Sequence, residues 1–349
     1  MTETTSVQLL EKFHPTDVTT FNMNISSDSQ LLLLKNEWLV AAEDHSVTGC
    51  KHLLLCNTNT GFCIPLLTDH TGYVRGIIKL NNNITSADSD DVQCISYDLA
   101  TCSTDHTIQC WRLNIDTTTV PVSASLTWLR TVYDNYTFFS FVQLQLNGCD
   151  CIATGGEEYI DIWDRTITTR RKRLQDRRHN VFKIIELLQG PLLAGECGGN
   201  LASYSSTGVI KIWNWTLKTK KPCIATLKQN SQVHDIVQLQ SVDYLAATYK
   251  DATLRIWELN TGTCTQVLTG YTHCASTIIQ LRWGELVSVS PVDCTLKVWD
   301  VVSGKCLQTI YTSELVVNMI ELHNGNIFVV AKCGTVKVFK YQSFNMLVW

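Results

Sequence analysis

The sequence predicts an all-β fold built from repeated units of four short strands. The first observation is a tryptophan-centred segment that recurs along the chain, as in DHTIQCWRL (105–113), TGVIKIWNW (207–215) and DCTLKVWDV (293–301). The second is that each copy alternates apolar and polar residues, which is typical of a β-strand with one buried face. The third is that 17% of the residues are charged, which argues against a disordered chain or a long solvated coiled coil.

The tryptophan strand lies inside a longer unit. An aliphatic run ending in leucine precedes it, as in VHDIVQL (233–239), and a turn and a short cysteine-containing strand follow it, as in TGTCTQVL (261–268). Each period therefore supplies four short strands, and packing such sheets face to face around a ring buries both faces of each. The aromatic positions that mark the periods are Trp111, Trp163, Trp213, Trp257, Trp299 and Phe339.

These units resemble the WD40 repeat over nearly the whole chain. Trp163–Asp164 and Trp299–Asp300 match the WD dipeptide of that family, and DHTGYV (69–74) matches its glycine–histidine element. Asp105, six residues before Trp111, matches the family's D-x-T turn. The resemblance implies a seven-bladed β-propeller of four-stranded antiparallel blades.

The chain divides into seven units within one domain. The first is degenerate: FHPTDV (13–18) opens it, and Cys56 occupies its tryptophan position. WD40 rings usually close by borrowing an N-terminal strand, for which SVQLLEKF (6–13) is one candidate and the tail SFNMLVW (343–349) is another. The predicted units are residues 6–60, 61–116, 125–168, 169–218, 219–261, 262–303 and 304–341, followed by a tail at 342–349.

The resemblance implies a stabilising tetrad in the second unit. Family members hold a blade together through hydrogen bonds among an aspartate, a histidine, a serine or threonine and a tryptophan, because a buried indole N–H and a buried carboxylate need partners. No nucleophile lies at a spacing that would make the histidine and aspartate a catalytic pair, so we expect a scaffold role. The four residues are His70, Thr101, Asp105 and Trp111.

The resemblance also implies a binding face. In WD40 proteins two positions per blade commonly point into the top face around the central channel, and the residues carried over by spacing include cations and phenylalanines but no carboxylate. We expect this face to accept an acidic or phosphorylated peptide, with charge-assisted hydrogen bonds and apolar anchors. Alternatively, the phenylalanines pack the channel mouth and the charges are solvated. The predicted residues are Arg75, Phe139, Phe182, His234, Lys250 and Lys332.

A basic stretch, RRKRLQDRRH (170–179), and a polar insertion, NNNITSADSDD (81–91), stand out from the repeats. The first is a candidate nuclear-localisation signal or contact for nucleic acid or anionic lipid. Alternatively, it is a solvated connection whose arginines lie along an outer strand. The second predicts an exposed loop. The basic residues singled out are Arg170, Arg171, Lys172 and Arg173.

Composition limits the location and chemistry. The net charge of −4 argues against a nucleic-acid partner for the surface as a whole. The sequence contains no run of 18 consecutive apolar residues, so no membrane span is predicted. The N-terminus lacks a signal-peptide pattern, so we expect a cytoplasmic or nuclear protein. Fifteen cysteines, an odd number, indicate reduced thiols rather than a disulfide framework, and no metal site or cofactor is predicted.

The expected function is a non-catalytic protein–protein interaction scaffold with protein or peptide partners and no small-molecule substrate. An alternative is a substrate-recognition subunit of a larger complex, such as a ubiquitin ligase or a chromatin complex. An enzyme is disfavoured because the predicted inner positions offer one histidine and no carboxylate for acid–base chemistry.

Overall fold

The computed structural model describes residues 13–22, 25, 30–35, 37–42, 52–80, 94–146, 149–176, 179–188, 199–205, 207–217 and 222–341. Within these ranges the chain forms strands arranged in seven four-stranded antiparallel sheets. This confirms the predicted seven-bladed β-propeller. The polar insertion at 81–91 and the C-terminal tail lie outside the described residues.

In the first six blades the strands follow one another from the channel outward. Blade 1 contains β2 (Leu32–Leu33), β3 (Trp38–Ala42), β4 (His52–Asn57) and β5 (Cys63–Leu67). Blade 2 contains β6 (Val74–Leu80), β7 (Cys94–Ser103), β8 (Thr107–Asp116) and β9 (Ser123–Tyr133). Blade 3 contains β10 (Phe138–Leu146), β11 (Cys149–Gly156), β12 (Tyr159–Asp164) and β13 (Arg170–Gln175).

Blades 4 to 6 repeat this order. Blade 4 contains β14 (Val181–Leu187), β15 (Asn200–Ser205), β16 (Val209–Asn214) and β17 (Cys223–Lys228). Blade 5 contains β18 (Val233–Gln238), β19 (Tyr244–Tyr249), β20 (Leu254–Glu258) and β21 (Thr263–Leu268). Blade 6 contains β22 (Thr277–Gln280), β23 (Leu286–Ser290), β24 (Thr295–Trp299) and β25 (Cys306–Tyr311).

Blade 7 joins the two ends of the described chain. It contains β26 (Val316–Glu321), β27 (Ile327–Ala331) and β28 (Thr335–Tyr341), and β1 (Phe13–Asn22) adds to β28 as the fourth strand. The closing strand is therefore N-terminal, and Phe13 of the predicted segment 6–13 lies in it, whereas residues 6–12 lie outside the described residues. The stretch 13–18, predicted to open the first unit, belongs to blade 7 instead. The physical reason is that β28 has an open edge, and β1 satisfies its backbone groups along the register Val18–Phe339 to Asn22–Thr335.

The hydrophobic core consists of one cluster at each contact between neighbouring blades. Blades 4 and 5, for example, meet through buried side chains that include Ile212, Leu245 and Trp257. The corresponding clusters join blades 1 and 2, 2 and 3, 3 and 4, 5 and 6, 6 and 7, and 7 and 1. Both faces of each sheet are thus covered by its neighbours, which explains the low charge content of the chain.

Polar contacts reinforce the closure at the ends of the inner strands β22 and β26. Arg282 of blade 6 forms an ion pair with Glu321 of blade 7, with Nε and Oε1 2.5 Å apart. His323, just beyond β26, places Nε2 3.0 Å from the carbonyl oxygen of Leu34 in blade 1. The last blade is therefore tied to the first by side chains as well as by the apolar cluster between them.

Blade 1 departs from the repeat at its missing tryptophan. In blades 4 to 6 the tryptophan stands opposite a cysteine of the outer strand, as with Trp257 and Cys264. In blade 1 Cys56 takes the tryptophan position, faces Cys63 and forms a disulfide with it. The prediction of reduced thiols is therefore wrong for this pair, because the repeat brings two sulfur atoms together when the aromatic residue is replaced.

In the part of the chain that the structure describes, no helix has the length and apolar composition that a membrane span requires.

Candidate functional site

Five inner strands carry a β-bulge at the same place, one residue after the strand begins. A bulge leaves one residue out of the ladder and redirects its side chain. In the rest of each strand the side chains alternate between the two faces of the sheet, and the bulge takes the second residue out of this alternation. The residues skipped by the pairing are Arg75, Phe139, Phe182, His234 and Val317.

These residues line one cavity at the centre of the ring. Its volume is about 640 Å³, and inner-strand residues of blades 2 to 7 contribute to its wall, together with Gln30 and Leu31 beside β2. We call the part formed by Arg75, Phe139, Phe182 and His234 the channel mouth. The structure therefore brings together four of the six residues predicted for the binding face.

The two predicted lysines flank this cavity without lining it. The backbone N–H of Lys250 donates to the carbonyl of Gln232, at 2.8 Å, and that of Lys332 donates to the carbonyl of Leu315, also at 2.8 Å. Both acceptors directly precede an inner strand, so each lysine is held beside its bulge. Both lysine side chains are exposed, and they form a cationic border on the same face as the channel mouth.

The phenylalanines of the channel mouth contact each other. Their ring centroids are 5.5 Å apart at an interplanar angle of 63°, an edge-to-face arrangement. Phe139 is half-buried, whereas Phe182 remains 39% exposed. The pair therefore packs the mouth, as the alternative interpretation expected, and also leaves an aromatic surface open to a ligand.

His234 is the titratable group of the channel mouth. Its Nε2 atom is buried and has no hydrogen-bond partner among the described residues, while its backbone carbonyl accepts a hydrogen bond from the Tyr204 hydroxyl. Burial and the nearby positive charge of Lys250 lower the pKa of His234, and the Asp235 carboxylate opposes them. The imidazole is therefore mainly neutral at pH 7 and has hydrogen-bonding capacity left for a ligand.

Asp235 was missed by the sequence analysis. Its carboxylate lines the cavity, although it is not one of the predicted inner positions, which themselves hold no carboxylate. It is only 4% exposed, forms an ion pair with Lys183, and accepts hydrogen bonds from the backbone N–H of Ile236 at 2.8 Å and of Ile278 at 3.0 Å. One side chain thus links blades 4, 5 and 6. Its place in the sequence directly after His234 indicated that it lies near the cavity, but its partners on other blades left no sequence signal.

The four residues of the predicted tetrad form one hydrogen-bonded network in blade 2. His70 Nδ1 lies 2.9 Å from Asp105 Oδ2, and His70 Nε2 lies 2.7 Å from Thr101 Oγ1. The same hydroxyl oxygen accepts the Trp111 indole N–H at 3.0 Å. Burial alone would raise the pKa of Asp105, but hydrogen bonds from His70 and Thr107 hold it well below its usual range. His70 is fully buried, which fits a scaffold role.

Other blades satisfy the indole N–H in the same way. Where the second strand offers serine or threonine, that hydroxyl accepts the hydrogen bond. In blade 5 Ala247 removes the hydroxyl, and Trp257 donates to the Tyr249 hydroxyl at 3.0 Å instead. The remaining pairs are Trp163 with Thr154, Trp213 with Ser203 and Trp299 with Ser288.

Comparison with solved structures agrees with this geometry. The chain is similar to the crystal structure of the WD40 β-propeller domain of Doa1, with a TM-score of 0.67 over 93% of this chain and 96% of that one. The chain has the fold of a WD40 β-propeller. The sequence identity is 15%, so the likeness concerns the fold. No protein-family model matches the sequence, and no curated protein matches it.

Residues Arg170–Gln175 of the basic stretch form the outer strand of blade 3, and residues 177 and 178 lie outside the described residues. Arg173 makes a bidentate contact with Asp161, at 2.7 and 2.6 Å, and its guanidinium lies over the rings of Tyr136 and Tyr159. The Asp161 carboxylate raises the pKa of Arg173 above its usual range. The contacts of this guanidinium are therefore with residues of its own blade and the loop before it.

The other basic residues divide between internal contacts and solvent. Arg170 pairs with Asp134 at 3.0 Å, and Lys172 donates to the backbone carbonyl of Trp215 in blade 4 at 2.7 Å. Arg171 is exposed on the outer strand. The described arginines of this stretch thus lie along an outer strand, as the alternative interpretation expected, and Lys172 in addition connects two blades.

Among the described residues, no group of three or more histidine, cysteine, aspartate or glutamate side chains is arranged to hold a metal ion.

Proposed function

We propose that this protein is a non-catalytic interaction scaffold whose channel mouth binds an acidic or phosphorylated peptide. The observation that carries the proposal is the shared cavity, which gathers Arg75, His234 and the Phe139–Phe182 pair under a border that includes Lys250. Cations next to an exposed aromatic ring suit a ligand that carries an anionic group beside an apolar side chain.

The charge balance of the cavity supports this proposal. In the described part of the chain, the one carboxylate that lines the cavity is Asp235, and the Lys183 ammonium group compensates it. Apart from this pair, the charged side chain among the described residues that line the cavity is Arg75, and Lys250 borders it, so both of these charges near a ligand would be positive. An anionic group would also give the orphan nitrogen of His234 a partner, and protonation of the imidazole would strengthen the contact.

The same carboxylate supports a binding role rather than acid–base catalysis. A general base needs a carboxylate that can reach a substrate proton. Asp235 instead has both oxygens engaged, one by Lys183 and the Ile236 N–H and the other by the Ile278 N–H. It acts here as a fixed link between blades.

A peptide array followed by fluorescence anisotropy tests the proposal. The array identifies a sequence, which is then compared in three forms that carry serine, phosphoserine or glutamate at one position. We expect the two acidic forms to bind at least about tenfold more tightly than the neutral one, because a charge-assisted hydrogen bond contributes ~1.5–3 kcal/mol and 1.4 kcal/mol is tenfold. The difference should shrink as salt is added.

The variants separate the channel mouth from general surface charge. Arg75→Ala/Lys250→Ala should remove the preference for the acidic forms. Arg171→Ala/Lys228→Ala is the charge-matched control, because both of its residues are exposed on outer strands, and it should keep the preference. Equal binding of acidic and neutral peptides by the wild-type protein would defeat the proposal.

A further inference from the structure

The outer part of blade 2 projects beyond the other blades. β20 ends at Glu258, one residue after Trp257, and β24 ends at Trp299 itself, whereas β8 continues past Trp111 to Asp116. β7 and β9 lengthen with it, to 10 and 11 residues. Three strands thus extend as a small sheet past the level at which the described third strands of blades 3 to 6 stop.

Side chains on both faces of this projection already have contacts within the protein. On one face Leu113, Ile115, Ala124 and Leu126 pack into the cluster between blades 1 and 2. On the other face polar residues pair with one another, and Ser96 donates to Asn114 Oδ1 at 2.6 Å. The remaining feature is an edge, because β9 stands last in its sheet.

Residues 122–128 of this edge lack the features that usually discourage strand pairing, whereas Arg130 and the bulge at Leu129 lie further along β9. Proteins usually protect an open edge with charges, proline or a short strand. The outer strand β13 carries arginine and lysine residues, and β5 carries Pro65 and has only 5 residues. The segment 122–128, VSASLTW, contains no charged residue, no proline and no glycine, and Trp128 is 53% exposed.

The segment is complementary to itself. If two copies meet antiparallel around a two-fold axis at Ser125, each residue faces one of the same chemical kind on the same side of the sheet. Apolar residues then face apolar residues and hydroxyl residues face hydroxyl residues, with no like charges opposed. The facing pairs are Val122 with Trp128, Ala124 with Leu126, Ser123 with Thr127, and Ser125 with itself.

We propose that the protein forms a homodimer in which β9 pairs with β9 of a second copy around Ser125. The two projections then form one continuous six-stranded sheet with an apolar and a polar face. Seven paired residues in each copy supply about six backbone hydrogen bonds, within the range of about 10 ± 5 found in specific interfaces. The small contact places the dimer among weak, reversible associations.

Sedimentation velocity on the full chain tests the dimer. We expect the wild-type sedimentation coefficient to rise with concentration between about 1 and 100 µM, the range suited to a small interface. Ser125→Lys should keep the protein monomeric throughout, because it opposes two ammonium groups on the axis. The matched control is Thr265→Lys, at an exposed position of the outer strand β21, which should leave the association unchanged.

A charge-swap experiment keeps the test independent of any folding defect. Ser125→Glu should also be monomeric alone, whereas an equimolar mixture of Ser125→Glu and Ser125→Lys should dimerise, because opposite charges then meet on the axis. A wild-type protein that stays monomeric over the whole range would overturn the proposal. So would a Ser125→Lys variant that still dimerises, or a mixture that does not.

Discussion

At the scale of single residues, blade 2 depends on the hydroxyl group of Thr101. It accepts the indole N–H of Trp111 and contacts Nε2 of His70, and all three side chains are buried. Thr101→Val keeps the shape but leaves two buried polar groups without a partner, at about 1–3 kcal/mol each. We expect urea denaturation to show a loss of about 2–6 kcal/mol in the free energy of unfolding.

The control for this substitution is Thr226→Val. Thr226 is exposed on the outer strand β17, so the same chemical change should alter stability by no more than about 0.5 kcal/mol. Comparable losses in the two variants would show that the tetrad does not depend on Thr101.

His234 makes a prediction about pH. Burial and Lys250 lower the pKa of His234 in the folded protein, whereas an unfolded chain has a histidine pKa of about 6.5. As the pH falls through about 6.5, the unfolded state binds a proton that the folded state does not, so stability falls. The free energy of unfolding continues to fall until the pH reaches the lowered pKa of His234 in the folded protein.

Thermal unfolding between pH 8 and pH 5 measures this effect. His234→Gln removes the titrating group, so the variant should lose less stability than the wild type over this interval. Both proteins contain the charged neighbours Lys183, Asp235 and Lys250. The difference between the two pH profiles therefore reports the titration of the imidazole alone. Parallel pH profiles would mean that the pKa of His234 is not lowered in the folded state.

At the scale of secondary-structure elements, the inner strands explain which parts of the candidate site could be predicted from sequence. Each bulge follows the residue that opens its strand, so the positions carried over from the WD40 resemblance fell on Arg75, Phe139, Phe182 and His234. The role of Asp235 could not be found in this way. Its partners lie on β14 and β22, and only the packing of separate blades brings them together.

Ring closure was the least predictable element. A strand that completes a neighbour's sheet needs only to satisfy an open edge, and several segments near the termini have suitable alternation. The disulfide of blade 1 has a similar explanation. The degenerate position of Cys56 was evident from the repeat, but its partner was determined by the register of β4 against β5.

The closing strand offers a direct test. Phe21 of β1 packs in the cluster between blades 7 and 1, and its ring lies so close to Gly61 that it occupies the place of a Cβ atom there. Phe21→Ala should cost about 2 kcal/mol, less than the roughly 3–5 kcal/mol of a fully buried phenylalanine, because Phe21 is only half-buried. Hydrogen exchange should accelerate first in β28, which loses its outer neighbour.

Thr20→Ala serves as the control for the closing strand. Thr20 is the exposed neighbour of Phe21 on the same strand, so this change should leave exchange in β28 unaltered. Protection of β28 that survives Phe21→Ala would argue that the β1–β28 pairing contributes little to closure.

At the scale of the whole molecule, the ring has no free end. Seven apolar clusters join neighbouring blades in a closed circle. Loss of any one cluster would therefore open the ring and weaken the packing of all the blades. An open repeat array behaves differently, because its stability is a sum of local terms and its parts can unfold separately. The repeat count in the sequence predicted seven blades, but this cooperativity arises only from closure.

Leu245→Ala tests that cooperativity. Leu245 is fully buried between blades 4 and 5, and its truncation should cost about 2–5 kcal/mol. In a closed ring that cost should appear everywhere, including β3 of blade 1, when hydrogen exchange is measured under conditions where global unfolding dominates. Val267→Ala in the same blade, at a half-exposed position, should leave exchange in β3 unchanged. Faster exchange confined to blades 4 and 5 would show that the blades unfold as independent units.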